Sequence, residues 1–322
     1  MPDTALPIDN GTKPTRLRVE ASSFCQLRCP SCPTTDRAID AHVGKGFLKP
    51  ADFAALLDAN PAVREIELSN YGEALMNPGI PDILRIAHER GVMTMIANGA
   101  NLNTASPAAL EALVRYRVQS IMCSIDGATQ ETYEKYRVRG NLEKVLANIR
   151  AINDWKTRLG IDEPLLVWRM ILFEHNKHEV EIAHAMATQL GMRFKLKLSW
   201  DEDIAPTEVG PEVLRWLDTP AVRRSDWEAQ TGETYLASMC EQLWDEPQIN
   251  WDGKVLGCCR NFWGDFGGNV FKQSMDDALS HEKMRHAKAM LRGEAGERAD
   301  VPCSTCDIYH KRRAAAQWIN RP

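Results

Sequence analysis

The chain has 322 residues, 44% of them hydrophobic, and a formal net charge of −5. That length admits one large domain plus a small one, and the mild negative charge gives no global drive toward nucleic acid or an anionic membrane. No run of about 18 apolar residues occurs, and the opening MPDTALPIDNGTKPT lacks a basic region followed by an apolar stretch, so neither a membrane span nor a signal peptide is expected.

Residues 1–15 read as a flexible polar tail, and a first strand is expected at 16–22 (RLRVEAS). Directly behind it, SFCQLRCPSCP sets Cys25, Cys29 and Cys32 in a C-x3-C-x2-C triplet. Three thiolates at this spacing can wrap one corner of a cubane iron–sulfur cluster, which normally takes four cysteines. One iron then stays open to a substrate or cofactor. A zinc knuckle would need a fourth ligand nearby, and His42 stands ten residues on beside a VGKG stretch. Unrelated core thiols are the other alternative. Nine cysteines without an export signal argue for metal ligation over disulfides. Oxygen-sensitive clusters would favour the cytoplasm.

From 16 to about 200, strands are predicted at 16–22, 64–69, 92–97, 120–125, 165–172 and 193–199. Helices fit near 50–59, 80–90, 106–115, 128–136, 141–159 and 177–190. The repeated βα pattern calls for an α/β class with a parallel sheet. Six units fall two short of a closed eight-stranded barrel, so a partial (β/α)6 barrel over 16–205 is the expectation. A Pro- and charge-rich bridge follows at 206–238, then a small module at 239–310 and a C-terminal tail or helix at 311–322.

Parallel strands covered on both faces usually read as continuous apolar runs. These alternate instead. Arg18, Glu20 and Ser22 oppose Leu17, Val19 and Ala21; Glu65, Glu67 and Ser69 oppose Ile66 and Leu68; Lys195 and Lys197 oppose Leu196 and Leu198. The polar faces should line a lumen filled by water or polar ligands, or else satisfy one another. Candidate functional residues gather at the C-terminal ends of strands, where such barrels carry their sites. They are Gly72 and Glu73 in NYGEALMNPG, Asn98 in ANGANL, Ser124 and Asp126 in SIDGAT, and Arg169 in LLVWRMIL. Arg169 needs a partner, either a ligand oxygen or Glu65 or Glu67. Cys123 is one residue off the polar register and reads as core.

A second cysteine set follows, Cys240, Cys258, Cys259, Cys303 and Cys306. INWDGKVLGCC reads as strand, turn at Asp252–Gly253, strand. A hairpin ligand, a preceding cysteine and a later C-x2-C pair can enclose a metal with four thiolates, and spacing alone does not separate zinc from a cluster.

These features together resemble the radical S-adenosylmethionine (SAM) enzymes over roughly 16–310. The triplet resembles their cluster loop, YGE their GGE segment with Tyr71 in place of the first Gly, ANG their TNG turn and SIDG their ribose-facing segment. The second set resembles their SPASM/Twitch extension, in the one-cluster form found in enzymes of the 2-deoxy-scyllo-inosamine dehydrogenase type. The resemblance implies a SAM-binding [4Fe–4S] cluster on Cys25, Cys29 and Cys32, and an auxiliary [4Fe–4S] cluster on Cys240, Cys258, Cys303 and Cys306. It implies SAM held by Gly72, Glu73 and Asn98, with Ser124 and Asp126 on its ribose or on the substrate. Arg169 and Cys259 are the candidate catalytic residues, Cys259 as a thiol hydrogen donor.

The implied activity is reductive cleavage of SAM and abstraction of a hydrogen atom, leading to oxidation or epimerisation of a carbinol in a sugar or aminocyclitol. An external one-electron donor such as flavodoxin or ferredoxin would serve it, with no nucleic acid or membrane partner. A peptide maturase forming thioether or C–C crosslinks is the competing enzyme class. A non-catalytic iron–sulfur or zinc protein is the third reading.

Overall fold

Alternating residues give each strand one apolar side, and pairing stacks those sides together. Leu17 lies opposite Ile66, Ile121 opposite Leu166, Cys123 opposite Trp168 and Met170 opposite Leu196. All of these are buried. The computed structural model describes residues 14–321, so the expected tail at 1–15 lies almost wholly outside the described residues. The strands are β1 (Arg16–Val19), β2 (Glu65–Glu67), β3 (Met93–Ala100), β4 (Ser120–Ser124), β5 (Leu165–Leu172) and β6 (Arg193–Leu198). They pair in parallel, each with its sequence neighbour, as an open curved sheet that does not close into a barrel.

Between them run α1 (Pro50–Ala59), α2 (Ile80–Glu89), α3 (Pro107–Arg115), α4 (Gln130–Tyr136), α5 (Leu142–Leu159) and α6 (Val180–Gln189). Their starts are set locally. Proline occupies the first turn of α1, α2 and α3, where its missing N–H is no loss. Ser106, Thr129 and Asn141 each accept the amide three residues on, as N-caps do. The bridge holds two short helices, α7 (Pro211–Leu214) and α8 (Arg224–Thr231).

The hairpin of the C-terminal module is not separate from the sheet. β7 (Gln248–Ile249) adds in parallel to the free edge of β1, and β8 (Val255–Gly257) returns antiparallel to it. The sheet order among the described residues is β6-β5-β4-β3-β2-β1-β7-β8. An uncovered β1 would expose a row of unpaired amides; here Arg18 N–H donates to the Pro247 carbonyl at 3.2 Å and Glu20 N–H to that of Ile249 at 2.9 Å. The module continues through α9 (Gln242–Asp245), α10 (Met275–Leu279), α11 (Glu282–Leu291) and α12 (Asp307–Ala314). α12 runs across the boundary expected at 310. No helix of the described residues is long and apolar enough to cross a membrane.

Candidate active site

The polar faces of the strands do something the sequence did not show. Their carboxylates are taken by backbone amides of the following loops. Glu20 is fully buried and accepts Tyr71 N–H at 2.9 Å and Gly72 N–H at 3.3 Å. Glu67 accepts Ala97 N–H at 2.6 Å and Asn98 N–H at 3.2 Å. Glu73 accepts Asn101 N–H at 2.6 Å and Leu75 N–H at 3.2 Å. Glu20, just past β1, thus holds the loop after β2; Glu67, on β2, holds the C-terminal part of β3; and Glu73, on the loop after β2, holds the loop after β3. Burial pushes both Glu20 and Glu73 up to about 7, against the pull of these amides.

The loops so held surround a cavity of about 190 Å³. Cys25, Cys29 and Cys32 form one side, and Gly72, Glu73, Asn98, Ser124 and Arg169 lie on the others. Gly72 is required there, because a Cβ would overlap the Ser22 carbonyl oxygen. Gly99, at φ 137°, leaves room for Arg169 and the Ser124 hydroxyl. Arg169 does not pair with Glu65 or Glu67. It donates to the Ala97 carbonyl at 3.2 Å, to the Asn98 carbonyl and to Ser124 Oγ at 3.0 Å, while Glu65 pairs with Arg16. Burial, then repulsion from Arg137, lowers Arg169 to about 10, still charged at neutral pH.

Asp126 differs from its expected place. It is fully buried, with Oδ2 on Arg137 Nε at 2.5 Å and Oδ1 accepting Ile171 N–H at 2.7 Å, and it is not among the residues facing the cavity. Its partner Arg137 is the residue that sequence reasoning missed. Arg137 aims Nη1 at Cys29 Sγ, 3.8 Å away, and Asn101 aims Nδ2 at Cys25 Sγ, 3.7 Å away. The one signal for Arg137 was the need of a strand-end aspartate for a cation.

Cys258 and Cys259 lie in a turn just past the end of β8 at Gly257, and their surroundings differ. Cys240, Cys258, Cys303 and Cys306 are all within electrostatic reach of one another. Cys259 has Cys258 beside it, but its charged neighbours are Arg18 and Lys197, from the lumen side, while Tyr71 lies near both cysteines. Burial raises the thiols of Cys240, Cys258 and Cys303 far above their usual value, Cys240 to about 12, so a metal group must displace protons to bind. Cys123 is buried core.

The family model described as the radical SAM superfamily matches residues 19–184, and an iron–sulfur cluster-binding domain model of the SPASM type matches 240–307. The chain belongs to the radical SAM superfamily. Among curated proteins, the AdoMet-dependent heme synthase of Methanosarcina barkeri is 26% identical over 174 residues, which is 53% of this chain and 46% of that protein. The chain spans about half the length of that relative. Among solved structures, Streptococcus suis SuiB bound to S-adenosylmethionine superposes with a TM-score of 0.62 at 12% identity, covering 92% of this chain and 71% of that one. BtrN, in complex with AdoMet and 2-DOIA, gives 0.51 at 14% identity over 92% and 94%. At these identities the likeness is one of fold.

A radical SAM core carries a [4Fe–4S] cluster and SAM, and a SPASM domain carries auxiliary iron–sulfur clusters. The residues present fit both groups. Beside the first triplet, Arg137 Nη1 and Asn101 Nδ2 face the Cys29 and Cys25 sulfurs; beside the second set, Arg260 Nε and Arg312 Nε are buried donors with no partner. Arg260 and Arg312 lie in charge range of Cys258, Cys306 and Cys240, and such donors suit an anionic thiolate cluster. Among the described residues no three Cys, His, Asp or Glu side chains converge on one metal ion.

Proposed function

We propose that the chain is a radical SAM oxidoreductase that oxidises a carbinol carbon of a sugar or cyclitol. The observation that carries this reading is the gathering of four thiols, Cys240, Cys258, Cys303 and Cys306, apart from Cys259. Four ligands close an auxiliary cluster, which suits it to electron transfer and not to chelating a substrate. Cys25, Cys29 and Cys32 would hold the SAM-binding cluster. Gly72, Glu73, Asn98 and Ser124 would face the polar groups of SAM.

When bound, the first cluster and SAM supply a hydrogen-atom acceptor, and the auxiliary cluster supplies an electron acceptor. The substrate gives up a hydrogen atom from carbon, a proton from its hydroxyl to solvent and one electron, and its C–O bond becomes a carbonyl. An external one-electron donor of the flavodoxin or ferredoxin class restores the electron used to cleave SAM, and these oxygen-sensitive groups favour a cytoplasmic enzyme. The chain's own part is positional. Arg169 and Ser124 orient polar groups on one wall, and Tyr136 packed on Phe173, with ring centroids 4.3 Å apart, narrows the cavity.

Epimerisation is the second reading, and Cys259 favours it. Its thiol lies on the side of Arg18 and Lys197, from which it could return a hydrogen atom to the opposite face. The test uses the full chain, anaerobically reconstituted, with SAM, a low-potential reductant and a panel of sugars and cyclitols. The expected products are 5′-deoxyadenosine and a ketone in equal amounts. Cleavage of SAM that yields neither ketone nor epimer from any of them, but crosslinks a cysteine-containing peptide, would overturn the reading.

A further inference from the structure

A second cavity, of about 250 Å³, opens on the lumen face of β3 to β6. Ala97, Met122, Arg169, Lys195 and Lys197 form its floor, and Tyr235 closes one side. Arg169 is common to this cavity and to the one beside Cys25, Cys29 and Cys32. A molecule lying here therefore reaches toward the first thiol triplet.

The cavity wall is cationic and short of counter-charge. Lys197 is half-buried and has no hydrogen-bond or ion-pair partner among the described residues. Behind the wall, Arg224 stacks its guanidinium on the Tyr235 ring, 5.0 Å from the centroid; its Nε is buried without an acceptor, and Glu202 and Glu228 are among its charged neighbours on the far side. Arg169 Nε is likewise unmatched. The single acid on the wall is Asp218, which is 87% exposed and lies 3.7 Å from the exposed Lys195. Burial, then the repulsion of Arg169 and Arg224, lowers Lys197 to about 8, with Cys259 acting the other way. Holding like charges together out of water is unfavourable unless a partner arrives.

We propose that this cavity is an anion-binding subsite of the substrate, in which Lys197 and Arg169, backed by Arg224, hold a phosphate or carboxylate group. The inference deepens the function proposed above and rests on it. It narrows the substrate to a hydroxylated ring bearing an oxyanion, and it disfavours an ammonium-bearing aminocyclitol, which the same charges would repel. Two features suit the role. Lys offers a mobile point charge with three donors and Arg a planar fork, and Tyr235 presents its ring at the wall. The anion at the Lys197 end would place the rest of the ring toward Arg169 and the first cavity.

The test reads binding, not turnover. Inorganic phosphate, methyl phosphate, acetate and glucosamine are titrated calorimetrically into the reconstituted full chain at low ionic strength, with and without SAM. Phosphate or acetate should bind, the stronger of the two identifying the oxyanion, and added salt should weaken it. Lys197→Gln should weaken that binding about tenfold or more, and Lys195→Gln much less. Without ligand, Lys197→Met should raise the unfolding temperature, because it removes an unpaired, partly buried charge. Anion binding unchanged in Lys197→Gln, no anion binding at all, displacement of phosphate by SAM, or tighter binding of glucosamine overturns the proposal. Loss of ketone formation with phosphate binding intact overturns the carbinol reading alone.

Discussion

The Tyr71 hydroxyl donates to the carbonyl oxygen of Cys259 across 3.0 Å. Asn70 Nδ2 joins it on the same oxygen at 3.1 Å, and Cys259 N–H donates to Gln242 Oε1 at 2.9 Å. The loop after β2, which faces the first thiol triplet, is thereby fastened to the hairpin end that carries the second. Tyr71 also packs edge-on against Phe262, with ring centroids 6.1 Å apart. With its backbone pinned on both sides, Cys259 is set apart from the four thiols around Cys258.

Cys259→Ser separates the two routes open to the substrate. A dehydrogenase has no use for this thiol, so ketone formation should stay near the parent rate. In an epimerase the hydrogen donor is gone, SAM cleavage continues and shunt products accumulate. Running the reaction in deuterated water and looking for label at the reacting carbon decides between them, since label present in the parent and absent in the variant marks epimerisation.

Arg137 and Asp126 form a buried ion pair whose arginine also faces Cys29. Arg137→Ala leaves Asp126 charged without a cation, and should cost about 3–5 kcal/mol of folding stability. Arg137→Lys keeps the charge but loses the planar reach to sulfur, so a smaller loss in stability should accompany poorer retention of the first cluster. Urea unfolding and iron content of the two variants check this. A stability loss below about 1 kcal/mol for Arg137→Ala, the range of an exposed pair, contradicts it.

Two cubanes predict about eight irons per chain after anaerobic reconstitution. Replacing Cys25, Cys29 and Cys32 together by Ala should remove half and abolish 5′-deoxyadenosine formation. Replacing Cys240, Cys258, Cys303 and Cys306 should remove the other half while the first cluster persists. SAM cleavage that survives in the triple variant would falsify the assignment of the first site.

Glu20 should leave a signature in the pH dependence of stability. Its carboxyl is raised from the usual 4.5 to about 7 because burial disfavours the charged form. The folded state therefore holds this proton more tightly than the unfolded chain does. The stabilising effect is complete below pH 4.5 and is lost as pH rises toward 7, by about 3 kcal/mol. Urea titrations of the metal-free chain at pH 5 and pH 7.5 give the size of the loss. Glu20→Gln should shrink the difference between the two; an unchanged difference assigns the pH dependence to other groups.

Glu73 shows where local reading stops. As a carboxylate on a strand-end loop it looked free to receive an ammonium group, yet it is buried and both oxygens already accept backbone amides. A carboxylate has lone-pair sites for further donors, so the expected role stands as a proposal. Glu73→Ala must now disturb folding as well, because it strands the Asn101 amide. The same holds for Asp126, whose pairing with Arg137 belongs to the fold. Such partners are invisible in sequence because a backbone amide carries no residue signature, and Arg137 meets Cys29 across 108 positions of chain.

What the sequence determined by itself was whatever depends on local pattern. Period-two alternation set the apolar faces of β1, β2 and β6, caps and prolines set the helix starts, and Gly253, at φ 86°, marked the hairpin turn. Cysteine spacing marked the first thiol set, because ligands within one loop are held together by the chain itself. Tertiary structure decided the rest. It placed β7 on the free edge of β1, turned Cys258 and Cys259 to different neighbours and left Lys197 unpaired beside Arg169. Those outcomes depend on which distant backbone and charge each group meets after the sheet curves, and no short-range pattern encodes that meeting.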